Sequence, residues 1–122
     1  MRGLCEAQPS VTLPPAMLER TPCVYILASG FNGTLYVGVT SDLLGRIVQH
    51  REETFDGFTA RNGIKRLVYY EVGGTMESAI RREKQLKRWR RAWKMNLIER
   101  DNPRWEDLAA GLGLPPLDED GV

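Results

Sequence analysis

The chain is poor in histidine and cysteine: its 122 residues include one histidine, His50, and two cysteines, Cys5 and Cys23. A single imidazole excludes a metal site built on a histidine cluster. The two thiols stand at no metal-ligand spacing and read as reduced thiols of a cytosolic protein. Long apolar runs are also missing. None approaches the ~18 residues that span a bilayer, and Arg2 is not followed by the apolar segment of a secretory signal. We therefore expect a cytoplasmic protein with no membrane partner. Net charge is scarce too: 17 bases against 16 acids leave +1, so the chain as a whole says little about what it binds.

What is present is enough sequence for one domain with a core that needs no disulfide. Residues 1–20 carry Pro9, Pro14 and Pro15 without a periodic pattern and read as a flexible leader. Met17 within it is a candidate initiator, which the intact mass of the native protein would test. Residues 21–110 form the expected domain, and 111–122 a flexible acidic tail. Charge is segregated along the chain. Residues 81–94 hold eight bases and one acid, Glu83, whereas residues 99–122 hold seven acids and two bases. A basic stretch of this density concentrates positive potential that the whole-chain sum hides.

Residues 23–28 and 34–39 are rich in β formers. They flank a turn whose Asn32-Gly33 favours the positive-φ conformations of hairpins. Thr40, Ser41 and Asp42 can each cap a helix, and Leu43, Leu44, Ile47 and Val48 give that helix an apolar side. Residues 54–65 read as a glycine-bearing loop and 67–72 as a third strand ended by Gly73-Gly74. Thr75 caps a long helix reaching Trp89. Further helices cover 92–99 and, after Asn102-Pro103, 104–110. The order β-β-α-β-α-α-α predicts an α+β fold with a small sheet covered by helices. The partner of the third strand is left open.

Several residues suggest chemistry. On the long helix Met76, Ala79, Ile80 and Leu86 share one face, and Glu83 projects into it. A carboxylate there is desolvated unless something pairs with it. Lys87, one turn on, offers an i,i+4 ion pair. A magnesium ion offers another partner, since it is commonly held by one or two carboxylates, with water and substrate phosphate completing its shell. Arg46 and His50 lie four residues apart on the first helix. They are either polar residues flanking the core or a bidentate phosphate ligand and a proton carrier. Tyr25 and Tyr36 fall on neighbouring strands, where packing is the ordinary role, as it is for Tyr69 and Tyr70. Gly38 weakens its strand and marks a close approach of backbone or ligand. Lys84, Lys87, Arg88 and Arg91 are candidate nucleic-acid contacts, the alternative being a solvated helix face. Trp89 and Trp93 interleave with these bases, either anchoring helices or, if exposed, stacking on unpaired bases.

In order and spacing, these residues resemble the GIY-YIG nuclease superfamily. The matching stretches are Val24-Tyr25-Ile26-Leu27, Asn32-Gly33-Thr34-Leu35-Tyr36-Val37-Gly38-Val39-Thr40, residues 81–94 and Asn102-Pro103-Arg104-Trp105-Glu106-Asp107-Leu108, with Arg46 and His50 between. The likeness is to the small stand-alone bacterial branch related to the nuclease module of the UvrC repair enzyme. It covers residues 22–108. It implies a central antiparallel sheet of three strands flanked by helices. It also implies that Tyr25 and Tyr36 line the catalytic surface, that Arg46 contacts the scissile phosphate, that His50 assists proton movement and that Glu83 is the sole protein ligand of Mg²⁺ or Mn²⁺. Val24 replaces the name-giving glycine and Val37 an isoleucine, both conservative in a strand. Many members place an asparagine about three helical turns beyond the glutamate. Met95 has that spacing here, Asn96 follows it as an additional candidate, and Asn102 reads as the cap of the last helix.

The resulting expectation is a metal-dependent endonuclease that hydrolyses phosphodiester bonds in DNA, with repair or recombination as its setting. One alternative is a nucleic-acid-binding module of the same fold with weak or no catalysis. Another is a scaffold whose basic helix meets an acidic partner.

Overall fold

The computed structural model describes residues 19–115. The expected leader up to residue 18 and the tail from residue 116 lie outside the described residues. Strands β1 (Glu19–Ala28) and β2 (Leu35–Asp42) are followed by helices α1 (Leu43–Arg51) and α2 (Gly57–Arg61), then strand β3 (Arg66–Val72), helices α3 (Met76–Arg88) and α4 (Arg91–Asp101), and a 3-10 helix (Leu108–Leu112). The fold is α+β. Its sheet has the order β2-β1-β3, and β1 runs antiparallel to both neighbours.

The central strand explains its own composition. Residues 23–28 are all buried, because a strand covered on both faces needs apolar groups at successive positions. Val24, Ile26 and Ala28 enter one core with Val37, Val68, Leu86, Ile98 and Trp105. Cys23, Tyr25 and Leu27 enter the opposite core with Leu43, Ile47, Ile64 and Leu112. The period of two along β1 therefore places Tyr25 on the face covered by α1 and gives the other face to α3 and α4.

Turn and cap chemistry set the element ends. The Ser29 amide donates to the Thr34 carbonyl (3.0 Å) and its hydroxyl accepts from the Thr34 amide (2.9 Å). Asn32 supplies the left-handed backbone of this turn, at φ 61°. Of the three residues able to cap α1, Asp42 does so, accepting from the Gly45 amide at 3.1 Å. Thr75 and Ser78 form a reciprocal capping box at the start of α3.

Three features differ from the sequence reading. The loop expected over 54–65 contains α2, whose five residues are too few to show a helical period. Its cap is Asp56, which accepts from the amides of Phe58 (2.8 Å) and Thr59 (3.2 Å). On α3 the buried stripe is Ala79, Glu83 and Leu86, while Met76 and Ile80 are exposed. The helix is rotated so that these two apolar residues flank the contact instead of forming it. The last helix begins at Leu108 and is 3-10, because residues 102–106 form a turn in which Trp105 takes φ 56° and buries its indole. Asn102 ends α4 instead of starting the next helix: its Nδ2 donates to the carbonyls of Val68 (3.1 Å) and Glu106 (2.9 Å), and its Oδ1 accepts from the Glu106 amide (3.0 Å). Residues 111–115 of the expected tail are described. Leu112 is buried, and Arg51 Nη1 donates to the Pro115 carbonyl at 2.6 Å.

Candidate active site

The α1 face of the hairpin gathers Tyr25 from β1, Tyr36 from β2, and Arg46 and His50 from α1. The tyrosine ring centroids lie 6.4 Å apart, and the His50 ring stands edge-on to both, 5.7 Å from Tyr25 and 5.4 Å from Tyr36. The Tyr25 hydroxyl is 3.0 Å from His50 Nε2. Tyr25 is 0% exposed and His50 1%, so this contact is sealed from bulk water. Gly38 makes the arrangement possible. It pairs across the sheet with Tyr25, and a Cβ at residue 38 would lie 2.4 Å from both Cζ and the hydroxyl oxygen of that tyrosine. The close approach marked by this glycine is thus to the phenol itself.

Arg46 completes the group. Its Nη1 donates to the Val39 carbonyl (3.4 Å) and its Nε to Gln49 Oε1 (3.2 Å). The guanidinium carbon lies 3.8 Å from the centroid of the Phe55 ring, a stacking that orients the planar fork. Phe55 also meets His50 edge-on at 5.2 Å. Residues of the segment read as a loop close the rest of the site. Tyr36 donates to Asp56 Oδ2 at 3.3 Å, and His50 Nδ1 lies 3.1 Å from Thr59 Oγ1. Asp56, Thr59 and Phe55 were missed by sequence reasoning. The signal that would have found the first two is the cap itself, an Asp followed three residues later by a Thr within reach of its carbonyl.

The site's electrostatics follow from burial. Burial pushes the Tyr25 phenol well above its ordinary range, and the Arg46 guanidinium beside it offsets part of the effect. Tyr36 is raised by burial and then by the charge and hydrogen bond of Asp56. Burial disfavours charge on Asp56, but the amides of Thr59 and Phe58 outweigh it and hold the carboxyl below its usual value. Burial, with the Arg46 charge adding to it and Asp56 opposing, lowers His50 to about 4. The imidazole is therefore neutral at physiological pH.

This has a consequence for stability. The fold favours neutral His50, so its contribution is complete above the unfolded value of about 6.5 and is lost as pH falls toward 4. That gap corresponds to roughly 3 kcal/mol. Thermal melts between pH 7 and pH 4 should show wild type losing more stability than His50→Gln, by an amount of this order. Parallel acid curves for the two proteins would contradict a buried neutral imidazole.

Glu83 stands apart from this contact network. It is buried on α3, and Lys87 Nζ binds its Oε2 at 2.6 Å, one of the two partners that the sequence left open. Its link to the site is through its field, which is among the charges that raise Tyr36. Lys84, Lys87 and Arg88 are exposed on α3. Arg91 is exposed but committed: one Nη2 donates to the carbonyls of both Asn32 and Gly33 at 2.8 Å, strapping α4 to the hairpin turn. Asn96 is exposed on α4, on no element that contributes a ring or cation to the site. Trp93 is 51% exposed and meets Trp89 edge-on at 6.0 Å, whereas Trp89 packs against the core.

The GIY-YIG catalytic domain family matches residues 21–96, a span that holds every one of these side chains. The chain is 30% identical over 76 residues to a UPF0213 protein of Staphylococcus epidermidis, in each of two strains, covering 62% of this chain and 92% of the relative. It is 33% identical over 67 residues to a UPF0213 protein of Staphylococcus saprophyticus, covering 55% of this chain and 82% of that one. No solved structure matches. The matched span contains β2, β3 and all of β1 but its first two residues, together with the tyrosine pair, Arg46, His50 and Glu83, and the chain belongs to the GIY-YIG family, whose catalytic domain is of nuclease type.

Proposed function

We propose that this protein is a divalent-metal-dependent endonuclease that hydrolyses phosphodiester bonds in DNA, acting in the cytoplasm in repair or recombination. The observation that carries the proposal is the buried Tyr25–His50 contact with Arg46 beside it. Packing alone needs neither a neutral imidazole at the phenol nor a guanidinium held over the Phe55 ring.

Hydrolysis requires a base for water and positive charge where the phosphate oxygens gain negative charge. Arg46 supplies the charge from a fixed orientation. Tyr25 is a poor base alone, because burial disfavours its anion. It can take a proton from water if it passes its own to His50, whose Nε2 lies 3.0 Å from the phenol oxygen. Tyr36, half-buried and donating to Asp56, holds the outer edge of this path.

GIY-YIG nucleases typically use a divalent metal, and Glu83 is the residue that would hold it here. Its donor type fits a hard cation. Among the described residues there is no group of three or more histidine, cysteine or acidic side chains suited to a metal, so the ion would take most of its shell from water and substrate phosphate, as magnesium commonly does. Carboxylate oxygen accepts Mg²⁺ and Mn²⁺ alike. A cation there would supply Lewis-acid stabilisation of the phosphoryl and leaving oxygens, and Lys87 would release Oε2 to admit it. Lys84, Lys87 and Arg88 would then meet the backbone of the substrate. Exposed Trp93 offers a stacking surface worth ~1–3 kcal/mol per unpaired base.

The test is cleavage of supercoiled plasmid and of single-stranded DNA with Mg²⁺, Mn²⁺ or EDTA. Metal-dependent nicking is expected, lost in Glu83→Ala and Arg46→Ala while both variants still bind DNA. Equal nicking by wild type and Glu83→Ala would overturn the assignment of Glu83. A nucleic-acid-binding module without catalysis is the second reading, favoured by the Glu83–Lys87 ion pair, which already satisfies the carboxylate. Binding without nicking under every metal condition would establish it.

A further inference from the structure

A histidine can take the Tyr25 proton only if the nitrogen facing the phenol is bare. Neutral imidazole carries its hydrogen on either nitrogen, and the partner of the far nitrogen decides which. His50 is engaged at both: Nε2 lies 3.0 Å from the Tyr25 hydroxyl and Nδ1 lies 3.1 Å from Thr59 Oγ1. The Thr59 hydroxyl has a single hydrogen, and it donates to the Asp56 carbonyl at 3.0 Å. Its oxygen can then only accept. Nδ1 must carry the imidazole hydrogen and donate to Thr59, which leaves Nε2 bare for Tyr25 to donate to.

The opposite arrangement fails on satisfaction. If Thr59 donated to Nδ1, Nε2–H would point at the Tyr25 oxygen, and the phenol hydrogen would have no acceptor among the described residues. A buried hydroxyl hydrogen without an acceptor is disfavoured. With Nδ1–H, the phenol, the imidazole and the threonine each donate to a distinct acceptor: Nε2, Oγ1 and the Asp56 carbonyl. Thr59 is itself 1% exposed, so water does not compete for its hydroxyl.

We propose that Thr59 is a positioning residue that locks His50 in the tautomer able to accept the Tyr25 proton. Asp56 serves the same end twice. Its carbonyl takes the Thr59 hydrogen, and its carboxylate takes the Tyr36 hydroxyl. The first turn of α2 thus orients both tyrosines. In the relay, water gives a proton to the Tyr25 oxygen as the phenol hydrogen passes to Nε2. His50 becomes transiently imidazolium and returns that proton through its Nε2 partner, the Tyr25 hydroxyl. The catalytic consequence rests on the nuclease reading; the tautomer does not.

Because His50 is the sole histidine of the chain, protein labelled with ¹⁵N-histidine yields one imidazole in a long-range proton–nitrogen NMR spectrum. Wild type is expected to show Nδ1 protonated and Nε2 bare. Thr59→Val, nearly isosteric, removes the acceptor of Nδ1–H and is expected to lose the single Nδ1–H form, giving a mixture with Nε2–H, and to lower kcat for plasmid nicking by on the order of 10²-fold with KM little changed. Thr59→Ser is expected to restore both the tautomer and the rate. A wild-type Nε2–H imidazole, a Thr59→Val protein that keeps the single Nδ1–H form, or a Thr59→Val protein that loses it yet cuts at the wild-type rate overturns the proposal. Should Thr59→Val not fold, the wild-type spectrum and the Thr59→Ser rate still decide it. A wild type that carries Nδ1–H but cuts no DNA supports the tautomer and refutes the nuclease reading, so the two failures are distinguishable.

Discussion

Replacing Tyr25 with phenylalanine lowers the turnover of DNA cleavage by ~10²–10⁴-fold, the range that a positioned general acid or base contributes, and leaves substrate binding nearly intact. The substitution is selective because the ring does the packing and the hydroxyl does the chemistry. Phenylalanine keeps the tilted contact with Tyr36 and the seat above Gly38. What disappears is the one group that links the catalytic surface to His50 Nε2. The orphaned nitrogen destabilises the fold by ~1–3 kcal/mol, which a thermal melt measures separately from the rate. The decisive comparison is kcat at a temperature where both proteins are fully folded. A Tyr25→Phe enzyme within tenfold of wild type would make Tyr25 a core residue and nothing more.

The second large effect comes from a residue with no side chain. Gly38→Ala places a methyl group 2.4 Å from Cζ and from the hydroxyl oxygen of Tyr25, inside any tolerable contact, so the phenol must move. The ring is fully buried in the core it shares with Leu43 and Ile47. Overpacking of this kind costs about 1–3 kcal/mol, and displacement of the hydroxyl from His50 should reduce cleavage as far as Tyr25→Phe does. A double-mutant cycle isolates the cause. In a Tyr25→Leu background the atoms that clash are gone, so Gly38→Ala should cost much less stability than in wild type. Additive effects would place the strain in the backbone of β2 and refute the steric account.

The sequence and the structure agree most closely where local chemistry is strongest. The hairpin was legible from two β-forming runs around Asn32-Gly33, and α1 and α3 from their caps and apolar spacing. The tyrosine pair, Arg46 and His50 were singled out by the family resemblance; strand and helix periods alone left them as packing and core-flanking residues. Gly38 stood out because a strand interior gains nothing from glycine unless something must come close. Glu83 was legible as an anomaly, a carboxylate on an apolar stripe. Its partner was not, since Lys87 and a cation satisfy it equally well on sequence grounds.

The residues that escaped notice share one physical reason. Asp56 and Thr59 act through α2, a single turn of helix that carries no hydrophobic period and whose worth depends on groups far away in the chain: Tyr36, and His50 with Tyr25 behind it. Asn102 and Trp105 likewise looked like the start of a helix until contacts with β3 and Glu99 made them a turn. Even the rotation of α3, with Met76 and Ile80 left at the surface, was chosen by the sheet beneath it and not by the helix. Spacing along one element declares which side chains travel together, because the backbone repeats every two or 3.6 residues. Which of them meet a partner from another element is decided by packing between elements, and no repeat encodes it.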